Sequence, residues 1–76
     1  MQVEIRMITD IKNENGKLLD IIKVETKDIS KAIHEVGAAM IDHAKKQWGD
    51  DAKPKTDESI FGGYMANSRG DVIVAR

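Results

Sequence analysis

Histidines are the side chains of this sequence best suited to acid–base or metal chemistry, and there are two of them, His34 and His43. A helix turns by about 100° per residue, so on one helix these two side chains would point about 180° apart. Such a pair cannot bind the same metal ion. The sequence also lacks cysteine, which removes thiol nucleophiles and thiolate ligands. We therefore expect neither a metal site nor a cofactor.

Carboxylates and hydroxyls are numerous, but they lack the context that catalysis needs. The acidic pairs at 50–51 and 57–58 lie in a polar stretch, whereas general acid–base work requires carboxylates in a shared, partly dry pocket. That stretch also lacks the ligand pattern of a calcium-binding EF-hand loop. None of the serines is at the centre of a Gly-x-Ser-x-Gly motif, which would mark a nucleophile; they are Ser30, Ser59 and Ser68. The sequence thus predicts that the protein is not an enzyme.

The longest periodic segment predicts a helix over residues 28–48. Its apolar residues recur at spacings of three and four and form one stripe: Ile29, Ile33, Val36, Met40 and Ala44. Asp28 is suited to cap the N-terminus, because its carboxylate can accept hydrogen bonds from the free backbone amides of the first turn. Gly49 suits the left-handed position that ends many helices. One face of this helix should therefore pack on a core.

An Asn15-Gly16 dipeptide predicts that residues 2–26 form a hairpin, since a type I′ turn needs two residues that tolerate positive φ. Centring the turn there gives three pairs of opposite charge, which are Arg6 with Glu25, Glu4 with Lys27 and Glu14 with Lys17. The apolar side of the same register pairs Ile5 with Thr26, Met7 with Val24, Thr9 with Ile22 and Ile11 with Asp20. Opposite charges across strands contribute roughly 0.2–1 kcal/mol per pair, which favours this register.

The C-terminal part of the chain predicts a loop followed by a second hairpin. Residues 49–59 have no apolar period and contain the one proline, so they should form an exposed, mobile loop. Residues 60–76 should form two short strands, from Ile60 to Ala66 and from Asp71 to Arg76, joined by a turn at 67–70. The glycines at 62–63 indicate a bulge or a close backbone approach.

Together these segments predict one domain over residues 1–76, of the α+β class and in the order ββαββ. The simplest packing is a four-stranded antiparallel sheet with the helix on one face and solvent on the other. A chain of 76 residues buries only about 60% of the surface that its unfolded form exposes, so its core should be thin.

The distribution of charge and hydropathy limits the partners. The net charge is −1 and no segment forms a strong basic stripe, so the usual electrostatic footprint of a nucleic-acid binder is missing. The N-terminal residues alternate charged with apolar side chains, and we expect neither a signal peptide nor a membrane span. These features predict a cytoplasmic protein that does not bind membranes.

Apolar side chains on the expected solvent face favour a protein-interaction module, which contacts another protein or a second copy of itself as a homodimer. Three of them, Ile8, Leu19 and Ile21, lie on adjacent strands of the first hairpin, where apolar clusters usually mark a contact surface. Tyr64 is the best aromatic candidate for the same role. Small accessory proteins of bacteria, phages and mobile elements, including inhibitors such as anti-CRISPR proteins, have a similar size and layout, which is analogy alone.

The alternative is a nucleic-acid-binding accessory protein. Its contact residues would be the bases expected at one end of the molecule: Lys45, Lys46, Lys53, Lys55 and Arg69. Interleaved acids argue against strong affinity for phosphates. A steep dependence of DNA binding on salt concentration would distinguish this class, because phosphate contacts release counterions.

Overall fold

Five strands, one long helix and a short 3₁₀ turn make up the part of the chain that the computed structural model describes, residues 1–9, 12, 15–58 and 61–76. The elements are β1 (Gln2–Ile8), β2 (Lys17–Lys23), α1 (Ile29–Trp48), the 3₁₀ turn (Gly49–Asp51), β3 (Lys53–Thr56), β4 (Gly63–Ala66) and β5 (Val72–Ala75). The expected α+β class is confirmed. The predicted order ββαββ with four strands is wrong, because a fifth strand follows the helix.

The described strands form one antiparallel sheet in the order β2-β1-β5-β4-β3. The C-terminal strand β5 therefore lies in the centre and joins the N-terminal hairpin to the strands that follow the helix. α1 packs on one face of this sheet. The buried core contains Val36 and Met40 of the helix together with Ile5, Ile73 and Met65 of the strands.

The helix forms as its sequence predicts. The carboxylate of Asp28 accepts hydrogen bonds from the backbone N–H groups of Ser30 and Lys31, at 2.9 Å and 3.4 Å. At the other end, Gly49 has a φ of 58° and its N–H donates to the carbonyl of Lys45. Of the predicted stripe, Val36, Met40 and Ala44 are buried, whereas Ile29 is 74% exposed. The apolar stripe thus buries its middle and C-terminal parts.

Strand β3 occupies the segment that was expected to be a mobile loop. Lys53 pairs with Ala66 and Lys55 with Tyr64, in an antiparallel ladder along β4. All four residues of β3 are exposed, so the strand has no need of apolar side chains and leaves no hydrophobic pattern in the sequence. Pro54 is tolerated because β3 is an edge strand, where a missing backbone N–H costs no ladder hydrogen bond on the solvent side.

The second predicted hairpin is shorter than expected. Strand β4 begins at Gly63 and strand β5 spans Val72–Ala75, while Ile60, the predicted start, lies outside the described residues. Gly63 makes the expected close approach, since a Cβ added there would lie 2.3 Å from the carbonyl oxygen of Lys55. This glycine therefore lets β3 and β4 pair.

The predicted register of the first hairpin is wrong. Arg6 lies opposite Leu18 instead of Glu25, and Val3 lies opposite Ile22. The type I′ turn is absent at Asn15-Gly16, because no described residue other than glycine has a positive φ. Gly16 is needed for another reason: a Cβ there would lie 2.4 Å from the carbonyl oxygen of Met7. The pairs expected at Ile11 and Glu14 fall outside the described residues.

A β-bulge between Ile5 and Arg6 decides where the side chains of β2 point. Ile5 lies opposite Asp20 and Arg6 opposite Leu18, so Leu19 is the additional residue of the bulge. Leu19 consequently packs against the core, which corrects its expected place on the outer surface of the hairpin.

Candidate interaction surface

The sheet has two unlike faces, and only one of them is covered by the helix. Residues that are cross-strand partners share a face, and successive residues of a strand alternate between faces. Because Ile5, Ile73 and Met65 pack against the helix, their sequence neighbours lie on the opposite side. We call this side the outer face, and its residues are Gln2, Glu4, Arg6, Ile8, Leu18, Ile21, Lys23, Lys53, Lys55, Tyr64, Ala66, Val72, Val74 and Arg76.

The centre of the outer face is apolar. Ile8 lies opposite Val72, and Val72 in turn lies opposite Ala66. Val74 and Tyr64 are the next outward-facing residues of β5 and β4. We call these five residues the apolar patch. Ala66 is buried and the other four are half-buried, so part of each larger side chain in the patch is accessible to solvent.

A second, smaller apolar area lies on β2, where Leu18 is 41% and Ile21 is 51% exposed. A charged pair on β1 separates it from the apolar patch. Arg6 Nε donates to Glu4 Oε2 at 2.6 Å, and Arg6 Nη1 donates to the backbone carbonyl of Asn15 at 3.2 Å. The hydrogen bond from Arg6 is the main reason why the pKa of Glu4 lies below its ordinary value.

The charges of the outer face are predominantly positive. Its described basic residues are Arg6, Lys23, Lys53, Lys55 and Arg76. Glu4 balances Arg6, and Glu25 lies 3.9 Å from Lys23 at the end of β2. If Glu25 at the border is counted with Glu4, five basic side chains stand against two acidic ones, so this part of the described surface has a surplus of three positive charges, although the whole chain has a net charge of −1.

Of the four residues predicted for protein interaction, three lie on the outer face. Ile8 and Tyr64 belong to the apolar patch, and Ile21 belongs to the apolar area on β2. Leu19 does not join them, because the bulge directs it towards the core. Their role in binding stays a prediction.

The five basic residues of the nucleic-acid hypothesis lie on three different elements. Lys53 and Lys55 are on the outer face of β3, whereas Lys45 and Lys46 are in the last turn of the helix. Lys46 forms an ion pair with Asp42 at 3.0 Å. Arg69, in the loop between β4 and β5, forms an ion pair at 3.3 Å with Asp71. Lys53 and Arg69 both lie near enough to Asp51, just after the helix, to help lower the pKa of its carboxyl group. A role of these five residues in binding nucleic acid stays a prediction.

The sequence did not predict that Leu18, Val72 and Val74 lie on the outer face. It also did not predict the contribution to the charge of this face from Arg6, Lys23 and Arg76. One signal was available: Val72, Ile73, Val74 and Ala75 form a continuous apolar run. A run without alternation indicates a strand that is apolar on both faces. It therefore marks a central strand whose second face is covered or available for binding.

The loop between β4 and β5 is held by its own side chains at one end of this face. Asn67 Oδ1 accepts from the N–H groups of Arg69 and Asp71, and Asn67 Nδ2 donates to Asp71 Oδ2 at 3.0 Å. The carboxylate of Asp51 accepts from the hydroxyl and the N–H of Ser68. These hydrogen bonds lower the pKa of Asp51 and tie the loop to the end of the helix.

His43 and Asp20 form the one His–carboxylate contact in the described ranges, at 3.0 Å between Nε2 and Oδ2. The other oxygen of Asp20 accepts from the N–H of Ile21 at 2.8 Å. Both carboxylate oxygens are thus engaged, and the pair connects the helix to the edge strand β2. We interpret it as a tether between these two elements.

This tether makes stability depend on pH. The pKa of Asp20 is lowered, first by the hydrogen bond from His43 and then by that from Ile21. Because the pKa of this carboxyl group is lower in the folded state than in the unfolded state, the ionised group stabilises the fold. This stabilisation is complete above the pKa of the unfolded state and is lost as the pH falls through the pKa of the folded state. We expect Asp20→Asn to lower the melting temperature at neutral pH and to match the wild type in acid, where the carboxyl group is protonated. If the melting temperatures of Asp20→Asn and the wild type differed by the same amount at neutral pH and in acid, this expectation would be contradicted.

The described ranges contain neither a cluster of potential metal ligands nor a helix that could span a membrane. No three histidine, aspartate or glutamate side chains come together there in a way that could hold a metal ion. The helix that the structure describes is not apolar enough over its length to cross a membrane. In comparisons with models of protein families, with curated proteins and with solved structures, no match to this chain was found.

Proposed function

We propose that this protein is a non-catalytic protein-interaction module whose binding surface is the outer face of the sheet. The observation that supports it most is the continuous apolar run of β5 at the sheet centre. Its inward side chain Ile73 is fully buried against the helix, whereas Val72 and Val74 point the other way and are half-buried. Packing between the helix and the sheet accounts for the apolar side chains on the inner face of β5. In this proposal, contact with a partner accounts for those on its outer face.

Hydrophobic burial gives the reason. Removing apolar surface from water contributes about 25 cal/mol per Å², and monomeric proteins rarely leave a contiguous apolar patch without a use. The apolar patch is bordered by charged residues on β1 and β3, as the apolar centre of an interface is usually bordered by a polar rim. A module of this kind acts by occupying a surface of its partner, as small accessory inhibitors do.

Substitution of Val74 tests this function. We expect Val74→Asp to reduce the affinity for partners captured from an extract of the source cells by roughly thirtyfold, the loss typical of a central interface residue. The reason is that the new carboxylate would be desolvated on binding. Retention on an affinity column followed by equilibrium binding provides the measurement.

Ile29→Asp is the matched control. Ile29 is an isoleucine at the start of the helix, 74% exposed and away from the outer face, and the change adds the same charge. We expect it to bind like the wild type. Far-UV circular dichroism establishes that both variants are folded. Equal binding by the folded Val74→Asp variant and by the wild type would rule out the outer face as the interface.

A further inference from the structure

The outer face combines an apolar centre with a basic edge, and this combination indicates what kind of partner fits it. Lys53 lies opposite Ala66 and Lys55 opposite Tyr64, so both lysines stand directly beside the apolar patch. Both are exposed. Long methylene stems allow lysine to cover apolar surface while its ammonium group reaches outwards. The edge strand thus presents two cations to whatever covers the patch.

Folding produces this basic edge from a chain that is nearly neutral. The outer face, counted with Glu25 at its border, has a surplus of three positive side-chain charges, so the remaining residues together are net negative for the total to be −1. Charge segregation of this kind guides a partner of opposite sign to one side of the molecule and disfavours partners of the same sign.

We propose that the partner is a protein with an acidic, apolar surface, whose carboxylates pair with Lys53 and Lys55 while its apolar side chains cover the apolar patch. This inference rests on the proposed function and names the chemistry of its partner.

The composition of the patch favours a protein over a nucleic acid. Single-stranded nucleic acids are bound by aromatic side chains on which the bases stack, and the patch has one aromatic residue, Tyr64, among Ile8, Ala66, Val72 and Val74. Aliphatic side chains gain most from contact with other apolar side chains. A nucleic acid would pair with the lysines but would leave the aliphatic centre without a suitable counterpart.

The charge also disfavours a second copy of this chain as the occupant. Two outer faces brought together would place the same positive surplus on both sides of one interface. Like charges that face each other across an interface repel and weaken the association. An acidic partner removes this repulsion and turns it into attraction.

Three defined probes test the inference by titration, with the backbone amide resonances of the protein as the readout. They are a short peptide in which glutamate and leucine alternate, its counterpart with lysine in place of glutamate, and an oligothymidine of the same charge as the first peptide. We expect the glutamate peptide to bind most tightly and to shift resonances of β3, β4 and β5, with an affinity that decreases as salt is added.

Charge reversal provides the sharper comparison. Lys53→Glu combined with Lys55→Glu should raise the Kd for the glutamate peptide at least about tenfold, equivalent to about 1.4 kcal/mol. Lys31→Glu combined with Lys45→Glu makes the same change of charge on the exposed surface of the helix, and its Kd should stay within about twofold of the wild type. If circular dichroism shows that the first variant is unfolded, Lys53 and Lys55 are replaced with alanine instead. The Kd of that variant for the glutamate peptide should increase roughly threefold.

Each other outcome overturns the inference. Tighter binding of oligothymidine would identify a nucleic-acid surface, and equal binding of the lysine peptide would show that charge plays no part. Absence of binding to the glutamate peptide by the folded protein would also contradict it. The proposed function can be judged separately, by measuring how each variant binds a partner captured from the source cells. If Val74→Asp no longer binds this partner but the Lys53 and Lys55 variant still does, the proposed function is supported and the acidic partner is ruled out.

Discussion

Replacing Ile73 with alanine is expected to remove a large part of the free energy of unfolding of this domain. Ile73 is fully buried on the central strand, between Met7 and Met65. Truncating such an isoleucine costs about 2–5 kcal/mol, because apolar contacts are lost and a cavity remains. A domain of this length has a total stability of roughly 5 kcal/mol. Urea denaturation followed by far-UV circular dichroism measures the change.

The control for this variant is Ile29→Ala, the same substitution at a position that is 74% exposed. Its free energy of unfolding should change by less than about 0.5 kcal/mol. If Ile73→Ala were as well tolerated as Ile29→Ala, then β5 would not be the centre of the sheet, and the assignment of an inner and an outer face would be wrong.

Replacing Gly63 with alanine is expected to lower the free energy of unfolding by about 2 kcal/mol or more. The new Cβ would lie 2.3 Å from the carbonyl oxygen of Lys55, so β3 would have to move away from β4. Binding of an acidic probe should weaken at the same time, because Lys55 would leave its place beside Tyr64. Thermal and urea denaturation measure the first effect, and peptide titration measures the second.

Gly37→Ala is the matched control, with an effect of opposite sign. Gly37 lies in the middle of α1, and a Cβ added there meets no atom within 4 Å. Because alanine is the better helix former, this variant should gain about 0.5–1 kcal/mol. A loss of stability in Gly37→Ala, or none in Gly63→Ala, would contradict the packing described above.

The helix could be predicted from the sequence because its signals are local. Asp28 and Gly49 act through backbone groups within one turn, and the apolar stripe repeats with the period of the helix itself. Local signals do not determine whether a residue at the N-terminal end of the helix is buried. Ile29 fits the stripe, but whether it is buried depends on how far the sheet extends beneath it.

The register of the first hairpin depends on contacts between residues distant in sequence, so the turn dipeptide and the charge pairs predicted a wrong register. Asn15-Gly16 predicted the turn, yet Gly16 is required by its contact with the backbone of Met7. The expected partner of Arg6 was Glu25, whereas its carboxylate partner is Glu4 on its own strand. Charged residues are so frequent in this segment that several registers pair opposite charges. The apolar side was nevertheless assigned correctly for Val24, which is buried.

The candidate interaction surface could be predicted only in part. Ile8, Ile21 and Tyr64 were singled out as apolar residues without a place in the core. The sequence does not predict the basic edge, because β3 has no apolar side chain and its residues predict a loop. Lys53 and Lys55 become neighbours of the apolar patch only when β3 pairs with β4. Surface charge that is gathered from separate strands leaves no basic stretch in the sequence.

The most direct test of the outer face as the binding surface is amide hydrogen exchange of the protein, free and bound to a partner captured from the source cells. We expect slower exchange in the complex along β3, β4 and β5, where Lys55, Tyr64 and Val74 face outwards, and unchanged exchange along the exposed side of the helix around Glu35. Protection confined to the helix, with β3, β4 and β5 exchanging as they do in the free protein, would contradict it.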